Sequence, residues 1–275
     1  MRAIVLTSTM RRHNFVANTL AGRMEVAGVW QEEKSFQPLR YAASDDDEAV
    51  IAAHFEARDT SEAAYFAADD AVRAPVHLVP PGGCNARDQI DAMRRLRPDV
   101  VLVFGTGLLQ QPLIDACPGA MINIHLGLSP FYRGAGTNFW PLVNGEPEYC
   151  GATIHFIDAG IDSGPIVAHV RPYIRRGDGP HDIGNKTIVA AAQALAAAAA
   201  AHVASPLSGV AQTGEGRLYH RSHFSAAAVR QLYANVAHGM IEDYLEHRSA
   251  RDAKVPLVSM EARTATSAKA SVPKR

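Results

Sequence analysis

The chain has 275 residues, 47% hydrophobic and 20% charged, with a formal net charge of −1. Its length suits one α/β domain with an extension and a sizeable core. Near-neutrality gives no electrostatic reason to expect nucleic acid as a partner, leaving only local basic patches at Arg11-Arg12-His13 and Arg171 to Arg176.

In chain order, Ala3 to Thr7 reads as a buried strand that ends in small polar residues. A helix follows over Asn14 to Ala27, with Phe15, Val16, Leu20 and Met24 on one side, and Val26 to Trp30 overlaps its end as a second strand. Ser44 to Asp70 reads as a polar helix, because Ser44 suits an N-cap and Asp45, Asp46, Asp47 and Glu48 meet the positive end of the helix dipole. Val76 to Val79 is a short strand, Pro80-Pro81-Gly82-Gly83 a turn, and Asn85 the cap of a helix to Leu96. Val100 to Phe104 is a continuous apolar strand, and Met121 to His125 another. Strands follow over Gly151 to Phe156 and Ile166 to Ile174, then an alanine-rich helix over Asp178 to Ala204. Arg217 to Arg221 is a short extended element, and Ser225 to Glu246 an amphipathic helix carrying Val229, Leu232, Val236, Met240, Ile241 and Leu245.

Strands alternating with helices predict an α/β fold, a Rossmann-like parallel sheet with a C-terminal helical extension. The expected division is residues 1–204 as the α/β domain, 205–250 as the extension and 251–275 as a disordered tail. The amphipathic helix needs covering, either by the core or by a second copy in a homodimer. The three cysteines, Cys84, Cys117 and Cys150, show no CxxC or zinc spacing and read as free thiols in a reducing compartment. Met1 to Ser8 is a strand and turn rather than a secretory segment. Val189 to Ala201, mostly alanine, falls short of the ~20 residues of a membrane span. A cytoplasmic protein with no membrane partner is the expectation.

Ligands of such sheets sit beyond the carboxyl ends of the strands, where Phe104 to Leu109 and Asn123 to His125 fall. Gly105-Thr106-Gly107 is a weak phosphate-loop signal, since no third glycine follows at dinucleotide-fingerprint spacing. Asn123 and His125 are two apart on a strand and project from one face. Gly160-Ile161-Asp162-Ser163-Gly164 later supplies a carboxylate on a glycine-bracketed loop. An amide, an imidazole and a carboxylate can together stabilise an oxyanion and move protons in acyl transfer.

Asn123-Ile124-His125, Ser129-Pro130-Phe131-Tyr132-Arg133-Gly134, Trp140-Pro141-Leu142-Val143-Asn144-Gly145-Glu146, Gly151-Ala152-Thr153-Ile154-His155-Phe156 and Asp158-Ala159-Gly160-Ile161-Asp162-Ser163-Gly164-Pro165-Ile166 occur in that order. The series resembles the folate-dependent formyltransferase family, which includes glycinamide ribonucleotide transformylase, methionyl-tRNA formyltransferase and the sugar N-formyltransferases. The likeness is good over residues 75 to 175 and holds in outline before them. It implies formyl transfer from 10-formyltetrahydrofolate to a primary amine, with Asn123, His125 and Asp162 catalytic and no metal. It also implies a folate site lined by Leu102, Thr106, Gly107, Leu108, Leu109, Tyr132, Arg133, Gly134, Asp158, Ala159, Gly160 and Ile161.

Arg11, Arg12, His13 and His155 are candidates for the acceptor side. Thr9 to Asn14 replaces the Gly- and Ser-containing turn that holds phosphate in the glycinamide ribonucleotide enzyme, and arginine still offers bidentate contact to an anion. Trp140 and Asn144-Gly145-Glu146 read as structural. The extension lacks the strands and charge expected of a methionyl-tRNA enzyme, so a small amine acceptor is favoured. An amino sugar, nucleotide-linked or not, leads over a hydroxyornithine-type or other amino-acid amine. A 10-formyltetrahydrofolate hydrolase and a non-catalytic folate-binding scaffold are the rivals.

Overall fold

The computed structural model describes residues 1–34, 36–117, 120–214 and 216–260. Its strands are β1 (Arg2–Ser8), β2 (Glu25–Glu32), β3 (Val76–Val79), β4 (Val100–Phe104), β5 (Ala120–His125), β6 (Tyr132–Gly134), β7 (Ala152–Phe156), β8 (Ile166–Val170) and β9 (Arg217–Tyr219). Its α-helices are α1 (Arg11–Ala21), α2 (Asp45–Tyr65), α3 (Arg87–Arg95), α4 (Gln111–Ala116), α5 (Trp140–Val143), α6 (Pro180–Ala204), α7 (Ala226–Ala237), α8 (Met240–Glu246) and α9 (Arg248–Asp252).

Seven strands form one sheet in the order β3-β2-β1-β4-β5-β7-β8. The first five run parallel, whereas β7 is antiparallel to β5 and β8 antiparallel to β7. The fold is therefore the expected α/β class with a mostly parallel sheet.

Both faces of the sheet are covered, which is why β1 and β4 read as unbroken apolar runs. Val100, Leu102 and Phe104 pack with Val16 and Leu20 of α1 and Ile188 and Leu195 of α6. Val101 and Val103 pack on the other face with Ile90 and Met93 of α3 and Leu113 of α4. Each such fully buried side chain contributes roughly 1.5–3 kcal/mol. By length and composition α6 could cross a membrane, a match the shorter stretch Val189 to Ala201 does not anticipate. Here Ala191, Ala192, Ala198 and Ala199 lie fully buried in the core cluster shared with β5, β7 and β8.

Several boundaries differ from the sequence reading. Helix α1 starts at Arg11, and α2 stops at Tyr65 rather than Asp70. Asn14 and Asn18 of α1 claim the next segment: Asn14 Nδ2 donates to the Asp69 carbonyl at 3.2 Å, and Asn18 Nδ2 to Asp69 Oδ1 at 2.8 Å. Ser44 does cap α2, its hydroxyl accepting from the Asp47 amide. Asn85 does not cap α3; it accepts from the Gln110 amide at 2.8 Å and donates to the Leu108 carbonyl at 3.0 Å. Strand β8 stops at Val170, before Arg171 turns to the Glu148 carbonyl.

The expected single C-terminal helix is broken into α7 and α8 by Gly239, at φ 83°. Its apolar stripe is covered within the chain: Leu232, Met240, Ile241 and Tyr244 join Leu142, Cys150, Ile174 and Ile183 in a third cluster. Residues 251–260, expected to begin a disordered tail, start in α9 and are then tied to the domain at two points. Val255 is buried, and His169 and Val258 exchange two hydrogen bonds, one of them to the His169 ring. The rest of that tail, 261–275, lies outside the described residues.

Candidate active site

The carboxyl ends of β4 and β5 open into a cleft of about 1,420 Å³. The register Asn123↔His155 and His125↔Thr153 across β5 and β7 puts Asn123 and His155 opposite each other on one face. Asn123 Nδ2 lies 3.0 Å from His155 Nε2. His155 Nδ1 lies 2.8 Å from the Phe156 carbonyl, which can only accept, so Nδ1 carries the proton and Nε2 accepts from Asn123. Burial, with repulsion from His125, lowers the His155 pKa and keeps the ring neutral. Asn123 thus keeps one amide N–H for a ligand.

His125 is buried between two acceptors. Its Nδ1 is 3.2 Å from Asp162 Oδ2, and its Nε2 3.2 Å from the Tyr132 carbonyl oxygen. A ring protonated at both nitrogens satisfies both contacts. Burial acts to raise the Asp162 carboxyl, but the His125 hydrogen bond, the two imidazoles and the Gly134 amide outweigh it and hold it below its usual range.

Asp162 reaches this place through an unusual backbone. Its φ is 49°, a left-handed conformation that costs a non-glycine residue roughly 1–2 kcal/mol and that aspartate tolerates better than most. Gly164 allows the close approach, because a Cβ there would meet the Phe156 carbonyl oxygen at 1.8 Å. Asp158 Oδ1 shapes the loop by accepting from the Gly160 amide at 3.0 Å and the Ser163 hydroxyl at 2.9 Å. Gln212 Nε2 donates to the carbonyls of Asp162 and Gly164 at 2.7 and 2.8 Å. At about 0.5–1.5 kcal/mol each, those two bonds are of the size needed to offset the strain.

Thr106, Gly107, Leu108, Leu109, Arg133, Gly134, Asp158, Gly160 and Ile161 line the cleft, as do Arg12, His13 and His155. Four candidates do not. Leu102 is fully buried in the sheet core, since alternation on β4 turns it with Val100 and Phe104 toward α1 and α6. The Tyr132 ring is buried too: its hydroxyl donates to Glu146 at 2.5 Å and accepts from Asn144 at 2.8 Å and Arg217 at 2.5 Å, so only its carbonyl serves the site. Ala159 is not part of the wall. Arg11 pairs with Asp70 at 2.5 Å, outside the cleft.

The Asn144-Gly145-Glu146 turn is a structural support, whereas Trp140, read from sequence as structural, also lines the cleft. Trp140 stacks on Tyr219 with centroids 4.3 Å apart, and Asn144 and Glu146 hold Tyr132.

Part of the cleft has a wall that no local motif announces, and its Lys34 ammonium donates to the Gly105 carbonyl. Arg12 and Arg58 share Glu62 at 2.5 and 3.6 Å, and Lys34 and Arg221 add two further cations. Lys34 is exposed at the mouth, yet desolvation by the walls and repulsion from Arg12 and Arg221 hold its ammonium down to about 8. Phe36, Phe55, Phe139 and Phe224 supply apolar surface beside His54 and His181. His54 is pushed down to about 4 by burial and by His181, and its Nδ1 meets the Tyr233 hydroxyl at 3.2 Å. His13 packs beneath Gly105, where a Cβ would lie 2.5 Å from its Nε2, and burial drives its pKa well down. Among the described residues, no group of three or more His, Cys, Asp or Glu side chains could hold a metal ion.

A family model described as formyl transferase matches residues 15–199. The methionyl-tRNA formyltransferase of Geobacter sulfurreducens is 43% identical over 81 residues, 29% of this chain and 25% of that protein. The match to that curated relative thus spans about a quarter of its length. A sugar N-formyltransferase from Shewanella sp. FDAARGOS_354 superposes with a TM-score of 0.54 at 15% identity, covering 82% of this chain and 78% of that one. A phosphoribosylglycinamide formyltransferase from Anaplasma phagocytophilum gives 0.54 at 16% identity, covering 80% and 98%. At these identities the structural likeness is one of fold.

Proposed function

The chain belongs to the formyl transferase family, and from that membership we propose that it moves a formyl group from 10-formyltetrahydrofolate to the primary amine of a small acceptor. The observation that carries the reading is the grouping of Asn123, His125 and Asp162 at the end of β5, inside the large cleft.

The donor end of the cleft fits a folate. Leu108 and Ile161, 64% and 62% exposed, are large apolar side chains left uncovered on its two bordering loops. Such surface suits a flat heterocycle, while the backbone groups of residues 104–109 and 158–162 can address its polar edges. When bound, the folate supplies an activated formyl group. The free N–H of Asn123 is the donor for the oxygen that gains charge as the amine adds, and His125, held at both nitrogens, joins it by turning its Nε2–H from the Tyr132 carbonyl to that oxygen; one such donor is worth on the order of 10²–10³ in rate. Asp162, ionised at neutral pH, orients His125 through Nδ1 and relays the proton that the amine sheds.

The acceptor is read from the cationic part of the wall. Arg12, Lys34, Arg58 and Arg221 favour an anionic group, and the phenylalanines beside them favour a planar or apolar one. An amino sugar carried on a nucleotide combines both with a primary amine. The test is a screen of amines with 10-formyltetrahydrofolate, following tetrahydrofolate release. Turnover with nucleotide-linked amino sugars, and little with neutral amines, is expected. Release at one rate whatever amine is present would replace transfer by hydrolysis.

A further inference from the structure

Both groups that grip His125 are themselves held by one strap, the segment after α6 that lies beyond the family-matched residues 15–199. At the Nδ1 side, Val210 and Ile166 exchange two 2.7 Å backbone bonds, laying the strap along β8. Gly209 fits against Pro165, where a Cβ would come within 2.3 Å of the proline Cβ. Gln212 then reaches the carbonyls on either side of Ser163, at 2.7 and 2.8 Å. At the Nε2 side, β9 pairs with β6 in the register Tyr132↔Arg217. Arg217 N–H donates to the Phe131 carbonyl at 2.9 Å, and Ala135 N–H to the Tyr219 carbonyl at 2.8 Å. These bonds bracket Tyr132, whose carbonyl faces His125, and Gly134, whose amide supports Asp162.

We propose that Gln212 is a positioning residue, which clamps the Asp162 loop from the C-terminal strap and so sets the His125–Asp162 contact. The residue type follows from the geometry. Two carbonyls two residues apart, on either side of Ser163, need two donors on one planar group, which a primary amide supplies. Glutamate presents only acceptors when ionised. Methionine fills the space with no donor, and asparagine is one methylene shorter. Beyond its likeness to the family domain, this chain's site is thus completed by a segment outside that domain.

The role of the contact in catalysis rests on the formyl-transfer reading, but the contact itself is tested without turnover. Full-length chain labelled with ¹⁵N-histidine gives His125 ring signals, assigned with His125→Gln, at one fixed pH near neutrality. Gln212→Met and Gln212→Glu should each move those signals in the direction that Asp162→Asn moves them, while 5-formyltetrahydrofolate still binds by calorimetry. A folded variant with wild-type His125 signals overturns the proposal. In the unmutated protein the Gln212 side-chain amide protons should exchange slowly with solvent, and fast exchange overturns the proposal whether or not the variants fold. With an acceptor from the screen above, kcat should fall roughly 10- to 100-fold, as for a displaced catalytic group, with KM for 10-formyltetrahydrofolate little changed. Moved ring signals in a chain that transfers no formyl group would leave the clamp standing and remove only the functional reading.

Discussion

Asn123 and His155 face each other across the antiparallel β5–β7 pair, and the 3.0 Å bond between them runs from amide nitrogen to ring nitrogen. The direction matters. Because the Phe156 carbonyl takes the Nδ1 proton, Nε2 is an acceptor, so the Asn123 amide cannot flip without placing its oxygen against that lone pair. His155→Phe keeps the ring volume and removes the acceptor. It should cut kcat about 10-fold, within the range for an oriented donor that loses its orientation, and change folate KM little. Steady-state kinetics beside a thermal melt checks this.

Acid should unfold the protein earlier than its carboxylates alone require. Burial lowers the ring pKa of His13, His54, His155 and His169, bringing His54 and His169 to about 4. Unfolded, each ring returns to near 6.5. Between those values the unfolded chain binds more protons, so stability rises with pH through the window and is lost as pH falls through it. Asp162, held below its usual range, adds a loss at still lower pH as it is protonated. The measurement is Tm from about pH 7 to about pH 4, followed by circular dichroism. A Tm flat across that interval would show that these rings are protonated in the folded protein.

Much of this was legible because it is local. Asn123 and His125 alternate on an apolar run, and Asp162 sits between glycines, so spacing alone places the polar groups at a strand end and on a tight loop. Leu102 was misplaced for a related reason: β4 is buried on both faces, so its pattern does not say which face leads to the cleft. The break at Gly239 hides because the apolar period continues across it, from Leu232 to Met240 and Ile241. Lys34, His54, Arg58, Gln212 and Arg221 had no signal at all. They come from four segments, with His54 and Arg58 one turn apart on α2, and only the tertiary fold brings Lys34, His54, Arg58 and Arg221 to one cleft and Gln212 to the Asp162 loop.

The cationic wall gives a prediction with a sign. Lys34 titrates at about 8, so the ammonium is present at neutral pH and is lost as pH rises through that value. KM for an anionic acceptor should therefore rise above about pH 8, as the ammonium that also holds the Gly105 carbonyl is lost. Lys34→Ala should raise acceptor KM about 10-fold, the low end for a charge-assisted contact, and should flatten that pH dependence. Arg221→Ala should also raise acceptor KM, with the pH dependence kept.

The C-terminal helices should behave as part of the domain. Ile241 is 2% exposed and packs with Leu142, Cys150 and Ile174, and is not itself part of the cleft wall. Ile241→Ala should cost about 2–5 kcal/mol, the usual range for emptying such a site. Urea unfolding should remain a single transition with coincident probes. A separate early transition confined to the variant would mean that residues 226–252 unfold on their own.

His125 and Asp162 supply the sharpest test of the site. Their 3.2 Å contact makes them one unit: the carboxylate orients the ring, and the ring and the Gly134 amide hold the carboxylate ionised. His125→Ala and Asp162→Asn should each lower kcat by at least ~10², because each removes stabilisation that grows as charge develops in the transition state. The double variant should lose far less than the product of the two single losses, since residues that act together are not additive. Folate affinity should change little for His125→Ala. If the pair were only a packing device, activity would fall in proportion to folded protein and Tm would fall with it. Asp162→Asn separates the two cases most cleanly, because it keeps the shape and the carbonyls that Gln212 holds. A folded Asp162→Asn enzyme with near wild-type kcat would place the chemistry elsewhere in the cleft.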